Sequence, residues 1–394
     1  MSCPLHSRLH RAIFRPSKTS ALAALAVVSA ASAQTSALTI GGYIDRGYVV
    51  TNNTNNLKDA KAVSSNAGTT TVGITGTEDL GGGLSAGFSV NTDWSEAGAQ
   101  TQDGTAPTAA QTAFGAGQSF LDLASKQFGT LRLGNPNSEV LTAMTSVASP
   151  AFSTGVGSAY SSSFSIHNGY GTGTTGSNNI FAASAVSSNA TVGQRQIRQA
   201  NTIKYISPNF MGFSAAFSTV RKNDTGGTAD IAGVTEFALN YANGPLAVVY
   251  AQTKVETGAN ASTYANGALA NNASSTMSIL GASYQLLPVL KLHAGMGRST
   301  ASATAIAYDT NSYQVGATYN VTPVITVMAQ YAKVDDKNVA TNNDRTLTGL
   351  GADYNFSKTT RAYVRYDSIN YNSNGTAAAG SQLKRTAVGV SKSF

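Results

Sequence analysis

Of the four histidines, His6 and His10 lie in an N-terminal stretch that reads as a leader, leaving His167 in a polar loop and His293 on a strand-like segment. Neither neighbours a serine and a carboxylate that would complete a nucleophilic triad. No group of His, Cys and carboxylates has metal-ligand spacing. Gly171-Thr-Gly173-Thr-Thr-Gly176 spells a dinucleotide pattern, but no strand precedes it and no helix follows. Neither enzymatic activity nor a cofactor is expected. What recurs instead is charge at alternate positions: Arg361, Tyr363, Arg365 and Asp367 share one face of a segment whose other face is Ala362, Val364 and Tyr366, and Arg132 alternates with Leu131 and Leu133. In a narrow, partly dehydrated passage such fixed charges attract counter-ions and repel co-ions.

The elements that carry these residues repeat. Gly281-Ala-Ser-Tyr284-Gln-Leu286, Gly316-Ala-Thr-Tyr319-Asn-Val321 and Gly351-Ala-Asp-Tyr354-Asn-Phe356 each close an alternating segment just before a turn. Their spacing accommodates two strands of roughly ten residues, a tight turn and a longer loop, as in a transmembrane β-barrel hairpin. Alternating segments are predicted at 38-50, 69-77, 84-94, 118-125, 128-135, 199-207, 211-220, 234-243, 245-254, 277-287, 289-298, 311-321, 324-333, 345-355, 359-368 and 383-394. That is an all-β, 16-stranded antiparallel barrel.

Composition agrees. Only 11% of residues are charged, less than half the share of an ordinary soluble domain. Residues 1-33 read as a cleaved signal peptide: Arg8, Arg11, Arg15 and Lys18, then an apolar run from Ala21 to Ala31, then Ala31-Ser-Ala33. Without them the 26 Lys and Arg fall to 26 − 4 = 22 against 19 Asp and Glu, a net charge of +3 instead of +7. The basic balance thus owes much to the leader, and no nucleic-acid partner is indicated. Cys3 leaves as well, so residues 34-394, taken as one barrel domain, form no disulfide. No segment after the leader holds a run of apolar residues long enough for a helical span, and strands cross lipid only as a closed barrel.

The apolar faces mix Ala, Gly and Val with tyrosine at the strand ends, unlike the bulky core of a sandwich. Tyr205, Tyr241, Tyr284, Tyr319 and Tyr354 each precede a turn and are expected to form one aromatic girdle, ring in hydrocarbon and hydroxyl in headgroup water. Val388, Val390 and Phe394 share a face, and the last strand is expected to pair with the first.

Gly76-Thr-Glu-Asp-Leu-Gly-Gly-Gly-Leu84, Phe128-Gly-Thr-Leu-Arg-Leu-Gly134, Asn201-Thr-Ile-Lys-Tyr-Ile-Ser-Pro-Asn-Phe210, Phe356-Ser-Lys-Thr-Thr-Arg-Ala-Tyr363 and terminal Phe394 together resemble the Gram-negative general-diffusion porins, especially their β-proteobacterial branch. The resemblance covers essentially the whole chain after the leader. It implies a homotrimer in the outer membrane, in contact with its lipid and lipopolysaccharide, that lets small hydrophilic solutes diffuse through. It also implies an in-folded third external loop that narrows the pore, and a Phe394 read by the outer-membrane assembly machinery.

The loop is expected within 136-194, where Glu139 is the only acid and no Lys or Arg occurs; the part nearer Glu139 is expected inside. Arg198 matches a lumen arginine of the family, and alternation puts Lys204 on the same face. Thr71, Gly117 and Asn135 stand where relatives carry arginines, which thins the ladder. Arg132, Arg198 and Lys204, opposed mainly by Glu139 and Asp45, leave a modest positive excess, and Tyr43, Arg361 and Arg365 complete the expected lumen set. The expectation is a weak to moderate anion preference. Arg46 falls on the outer face, where a mid-bilayer arginine costs about 2–4 kcal/mol. The same strand pattern also suits a secreted Ser/Thr/Asn-rich adhesin or, less well, an outer-membrane barrel enzyme such as a phospholipase.

Overall fold

The structure, a computed structural model, describes residues 36-53, 58-93, 115, 117-159, 198, 201-221, 230-231, 233-256, 262-264, 267-269, 274-302, 308-337, 343-373 and 382-394. The leader at 1-33, His167 and the glycine pattern at 171-176 lie outside the described residues.

Alternation of β-branched and aromatic residues with small polar ones suits a pleated surface with two different environments. It produces β1 (Ser36–Asn53), β2 (Lys58–Ser64), β3 (Thr71–Gly81), β4 (Leu84–Asp93), β5 (Ser119–Ser125), β6 (Gly129–Asn135), β7 (Thr202–Ile206), β8 (Phe213–Val220), β9 (Asp230–Ile231) and β10 (Gly233–Asn243). The second half adds β11 (Leu246–Glu256), β12 (Ser262–Tyr264), β13 (Gly267–Leu269), β14 (Ser274–Leu287), β15 (Leu290–Ser302), β16 (Tyr308–Asn320), β17 (Ile325–Asp336), β18 (Asn343–Asn355), β19 (Thr360–Ser373) and β20 (Gln382–Ser393).

Seventeen of these strands share one sheet, and β9, β12 and β13 form a separate small one. Because β2 pairs with the later half of β1 and β3 with the earlier half, the two occupy one place in the wall, so the seventeen make sixteen wall strands. Each wall strand is antiparallel to its partners, and β1 meets β20 from Tyr43↔Ser393 to Asn53↔Leu383. Gly42 and Phe394 exchange both backbone hydrogen bonds at 3.1 Å, completing the seam. The sheet is closed and exposes no long edge. At the β3–β4 turn, Gly81, Gly82 and Gly83 all have positive φ, a conformation that favours glycine.

The polarity of the wall is the reverse of a soluble core. On β16, Val315 is 56% exposed while its neighbour Gln314 is 2% exposed. Leu121, Leu280, Leu350 and Val388 are likewise exposed, whereas Asp367 and Arg385 are buried. Such a surface is stable when hydrocarbon, not water, bathes the outside.

After β6 the chain turns onto the inward face of the sheet. Ser138 caps the short helix α1 (Glu139–Ala143), its Oγ accepting from Leu141 N at 3.1 Å. A π-helical turn (Met144–Ala148) and a 3₁₀ turn (Pro150–Phe152) follow. Val140, Leu141, Met144 and Ala148 join a cluster with Ala216, Ala251, Met277 and Ile279 from the wall. Gly281 and Gly295 make room for this: a Cβ on either would lie 2.8 or 3.0 Å from the Ala148 methyl carbon. Farther along, Val156 packs with Val49, Val63, Tyr363 and Ala387. Val156 N donates to Asn66 O at 2.9 Å, and Gly157 N donates to Asp367 Oδ2 at 2.8 Å. The segment therefore follows the inner wall from the β11–β14 side round to β1 and β20.

Candidate functional site

The lumen is lined by side chains at alternate wall positions, so neighbouring strands bring charges into register. Asp122 on β5 lies directly across from Arg132 on β6. Arg132 donates from Nε and Nη2 to the two carboxylate oxygens of Asp122, both at 2.8 Å, and its guanidinium sits 3.6 Å from the Phe120 ring centroid. This bidentate, stacked geometry is what arginine supplies and lysine cannot. Arg198 bridges to Asn137, its Nε donating to Asn137 Oδ1 at 3.0 Å, and its Nη2 lies 2.7 Å from Asp93 Oδ2. Both pairs are partly open to the lumen.

A second group spans β1, β18, β19 and β20. Arg361 donates to Asp353 and to the Tyr43 hydroxyl, each at 2.9 Å, and to Ser391 Oγ at 3.1 Å. Arg365 lies 2.7 Å from the other Asp353 oxygen and 6.0 Å from the Phe152 ring, beneath the interior segment. Arg385 is paired with Asp367 and is buried. Asp45 accepts from the Tyr363 hydroxyl and from Ala67 N and Gly68 N, at 2.6 and 3.0 Å for the two amides.

Two expectations are corrected here. Lys204 and Glu139 form an ion pair at 2.5 Å, but their side chains are only 7% and 5% exposed. Instead of opposing each other across an opening, they join the wall to the start of α1, whose apolar residues cover them. Close by, Glu236 accepts from Ser218 Oγ and Thr253 Oγ1, both at 2.8 Å. Nor do Glu139 and Asp45 oppose the basic ladder, because Asp122 and Asp93 neutralise Arg132 and Arg198 within the same wall. Sequence reasoning missed Asp93, Asp122, Asp353 and Glu236, and it placed Asp367 on the charged face of its strand without its partner Arg385. A signal for Asp122 existed: with a turn near Lys126–Phe128, alternation places it on the rung of Arg132.

The thinned ladder positions have polar substitutes. Thr71 Oγ1 donates to Thr92 O at 2.9 Å, and Asn135 Nδ2 donates to Gly117 O at 3.1 Å. Gly117 packs against Asn91, where a Cβ would meet the Asn91 carbonyl oxygen at 2.7 Å. Arg46 is half-buried on the outward face of β1, across from Ser64 and Val390. Tyr205, Tyr284, Tyr319 and Tyr354 are exposed near the short-turn ends of their strands, and Tyr241 packs half-buried against Phe213 with ring centroids 4.5 Å apart.

The family model described as Gram-negative porin matches residues 20-374. Outer membrane porin protein 32 of Delftia acidovorans is 33% identical over 309 residues, which cover 75% of this chain and 73% of that protein. The anion-selective porin from Comamonas acidovorans has 25% identity and a TM-score of 0.71, with 91% of this chain and 100% of that chain covered. OmpT of Vibrio cholerae in its trimer form shares the fold, with 14% identity, a TM-score of 0.58 and the same coverage. With its closed barrel and charge-lined lumen, the chain belongs to the Gram-negative porin family and is a multi-pass outer-membrane channel, not an enzyme.

Proposed function

We propose that the channel passes small hydrophilic solutes by diffusion with a weak anion preference, and that Ser138–Ala159 narrows it as an in-folded loop. The carrying observation is an imbalance of access: Arg361 is 31% exposed, whereas its partner Asp353 is 5% exposed. A permeating ion therefore meets the guanidinium more than the carboxylate. The Arg132–Asp122 and Arg198–Asp93 pairs are more evenly open and add little to either sign. The similar porin from Comamonas acidovorans is anion-selective, which agrees with the direction. The reversal potential across a planar bilayer in a KCl gradient tests it. A modest anion preference is expected, and clear cation selectivity overturns the reading.

The same proposal includes a homotrimer, favoured by the trimer form of OmpT and by the bare outer face of β1, where Leu38 and Ile40 are highly exposed. Extraction in mild detergent is expected to give an oligomer that heat converts to monomer on a gel. The tyrosine belt and outer-face residues would meet lipid and lipopolysaccharide. Phe394 would serve assembly, and residues 1-33 would be removed on export.

A further inference from the structure

The segment that runs along the inner wall brings almost no charge with it. Between Val140 and Ala159 it contains no Asp, Glu, Lys or Arg, and Glu139 is held under α1 by Lys204. Its side turned away from the wall offers hydroxyls instead. Thr142 and Ser146 are exposed, and they donate inward to Ser138 O and Thr142 O at 2.9 and 2.5 Å, which leaves oxygen lone pairs toward the opening. Two of the part-exposed cations described above sit beside an acid of similar exposure, Arg132 with Asp122 and Arg198 with Asp93, while Arg361 shares Asp353 with the covered Arg365 and keeps a small positive excess.

The physical consequence depends on where opposite charges sit. Acids on a loop facing cations on a wall would set up a field across the opening, orient the water there, and make its displacement by an uncharged solute costly. Opposite charges a hydrogen bond apart on one wall cancel within a few ångströms, leaving only local dipoles.

We propose that this constriction favours uncharged polyhydroxyl and zwitterionic solutes over organic ions of equal size, because most of its open charges are offset by a neighbour on the same wall, leaving only the small Arg361 excess, and the loop beside the opening is neutral. A sugar finds hydroxyl and amide partners without displacing strongly held water. An amino acid presents an ammonium and a carboxylate that match a neighbouring Asp and Arg. The inference rests on the reading of Ser138–Ala159 as the constriction.

The test is osmotic swelling of liposomes containing the purified protein, with size-matched solutes: a neutral pentose, a zwitterionic amino acid, an organic anion and an organic cation. The pentose and amino acid are expected to enter at rates within about twofold of each other and about threefold faster than either ion. An anion entering faster than the pentose overturns the inference while leaving the channel reading intact. Absence of both swelling and conductance steps defeats the channel reading and the inference with it. A second arm adds acids to the loop with Thr142→Asp and Ser146→Asp. Pentose entry relative to KCl conductance is expected to fall about threefold. An unchanged ratio in a conducting variant counts against the proposal, and if the variant does not assemble, the wild-type ratios decide it.

Discussion

Lys204 Nζ approaches Glu139 Oε1 to 2.5 Å inside the barrel, tying β7 to the first turn of α1 where the open lumen does not reach. The pair joins positions far apart in sequence and fixes where the interior segment leaves the wall. Removing one partner strands the other charge in a poorly solvated place. Lys204→Met is expected to cost about 3–5 kcal/mol, and the double change Lys204→Met with Glu139→Leu considerably less. Denaturant midpoints of the purified protein check this. Equal losses in the single and double variants would show that the pair matters only for its volume.

Gly281 and Gly295 let Ala148 lie against the wall, since a Cβ on either would meet its methyl carbon at 2.8 or 3.0 Å. Gly281→Val is expected to push the segment toward the opening and lower single-channel conductance. Barrel stability should change little, because the strand pairing is untouched. Conductance equal to wild type would mean that the segment yields in another direction.

Asp122 holds Arg132 in a bidentate pair partly open to the lumen. Asp122→Asn keeps the shape and leaves the guanidinium charge uncompensated. The chloride-to-potassium permeability ratio is expected to rise about two- to fivefold, more at low salt than at high salt, because screening weakens the field. A salt-gradient reversal potential measured in both regimes gives the answer.

Val315 lies on the outer face of β16 between the exposed rings of Tyr313 and Tyr319. Val315→Arg places a charge in hydrocarbon and is expected to destabilise the barrel by about 2–4 kcal/mol. Thr318→Arg, at a half-buried position on the inward face of the same strand, is expected to cost less. Comparing the temperatures at which the folded gel band disappears separates the two faces.

Phe394 exchanges two backbone hydrogen bonds with Gly42, and its ring lies over that glycine, where a Cβ would come within 2.6 Å of Cζ. Deleting Phe394 is expected to lower the yield of assembled barrel in cells more than the yield of refolding in detergent. Equal losses in both would assign the residue to seam closure alone.

The strand count and the facing of segments such as 325-332 and 361-368 were legible in the sequence because period-2 alternation is a local property, written in consecutive residues. Its failures were local too. The second wall strand, predicted as 69-77, is broken into Lys58–Ser64 and Thr71–Gly81, and Lys58-Asp-Ala-Lys61 was too charged to read as wall. Most strands in the C-terminal half also run farther toward the long loops than alternation indicated, as Asn343–Asn355 does against the predicted 345-355.

The chemistry of the lumen was legible only in part. Arg132 and Arg361 face inward as alternation required, and Tyr43 and Arg361 meet although they are far apart in the chain. Which charges reach the opening was decided by the path of Ser138–Ala159, which covers Lys204 and Arg365 and leaves Arg132, Arg198 and Arg361 partly open. That path depends on packing among residues such as Ala148, Gly281 and Gly295, and no periodicity encodes such contacts. The sequence by itself determined a wall with one face for lipid and one for water; only closure of that wall around its own loop decided which charges cancel.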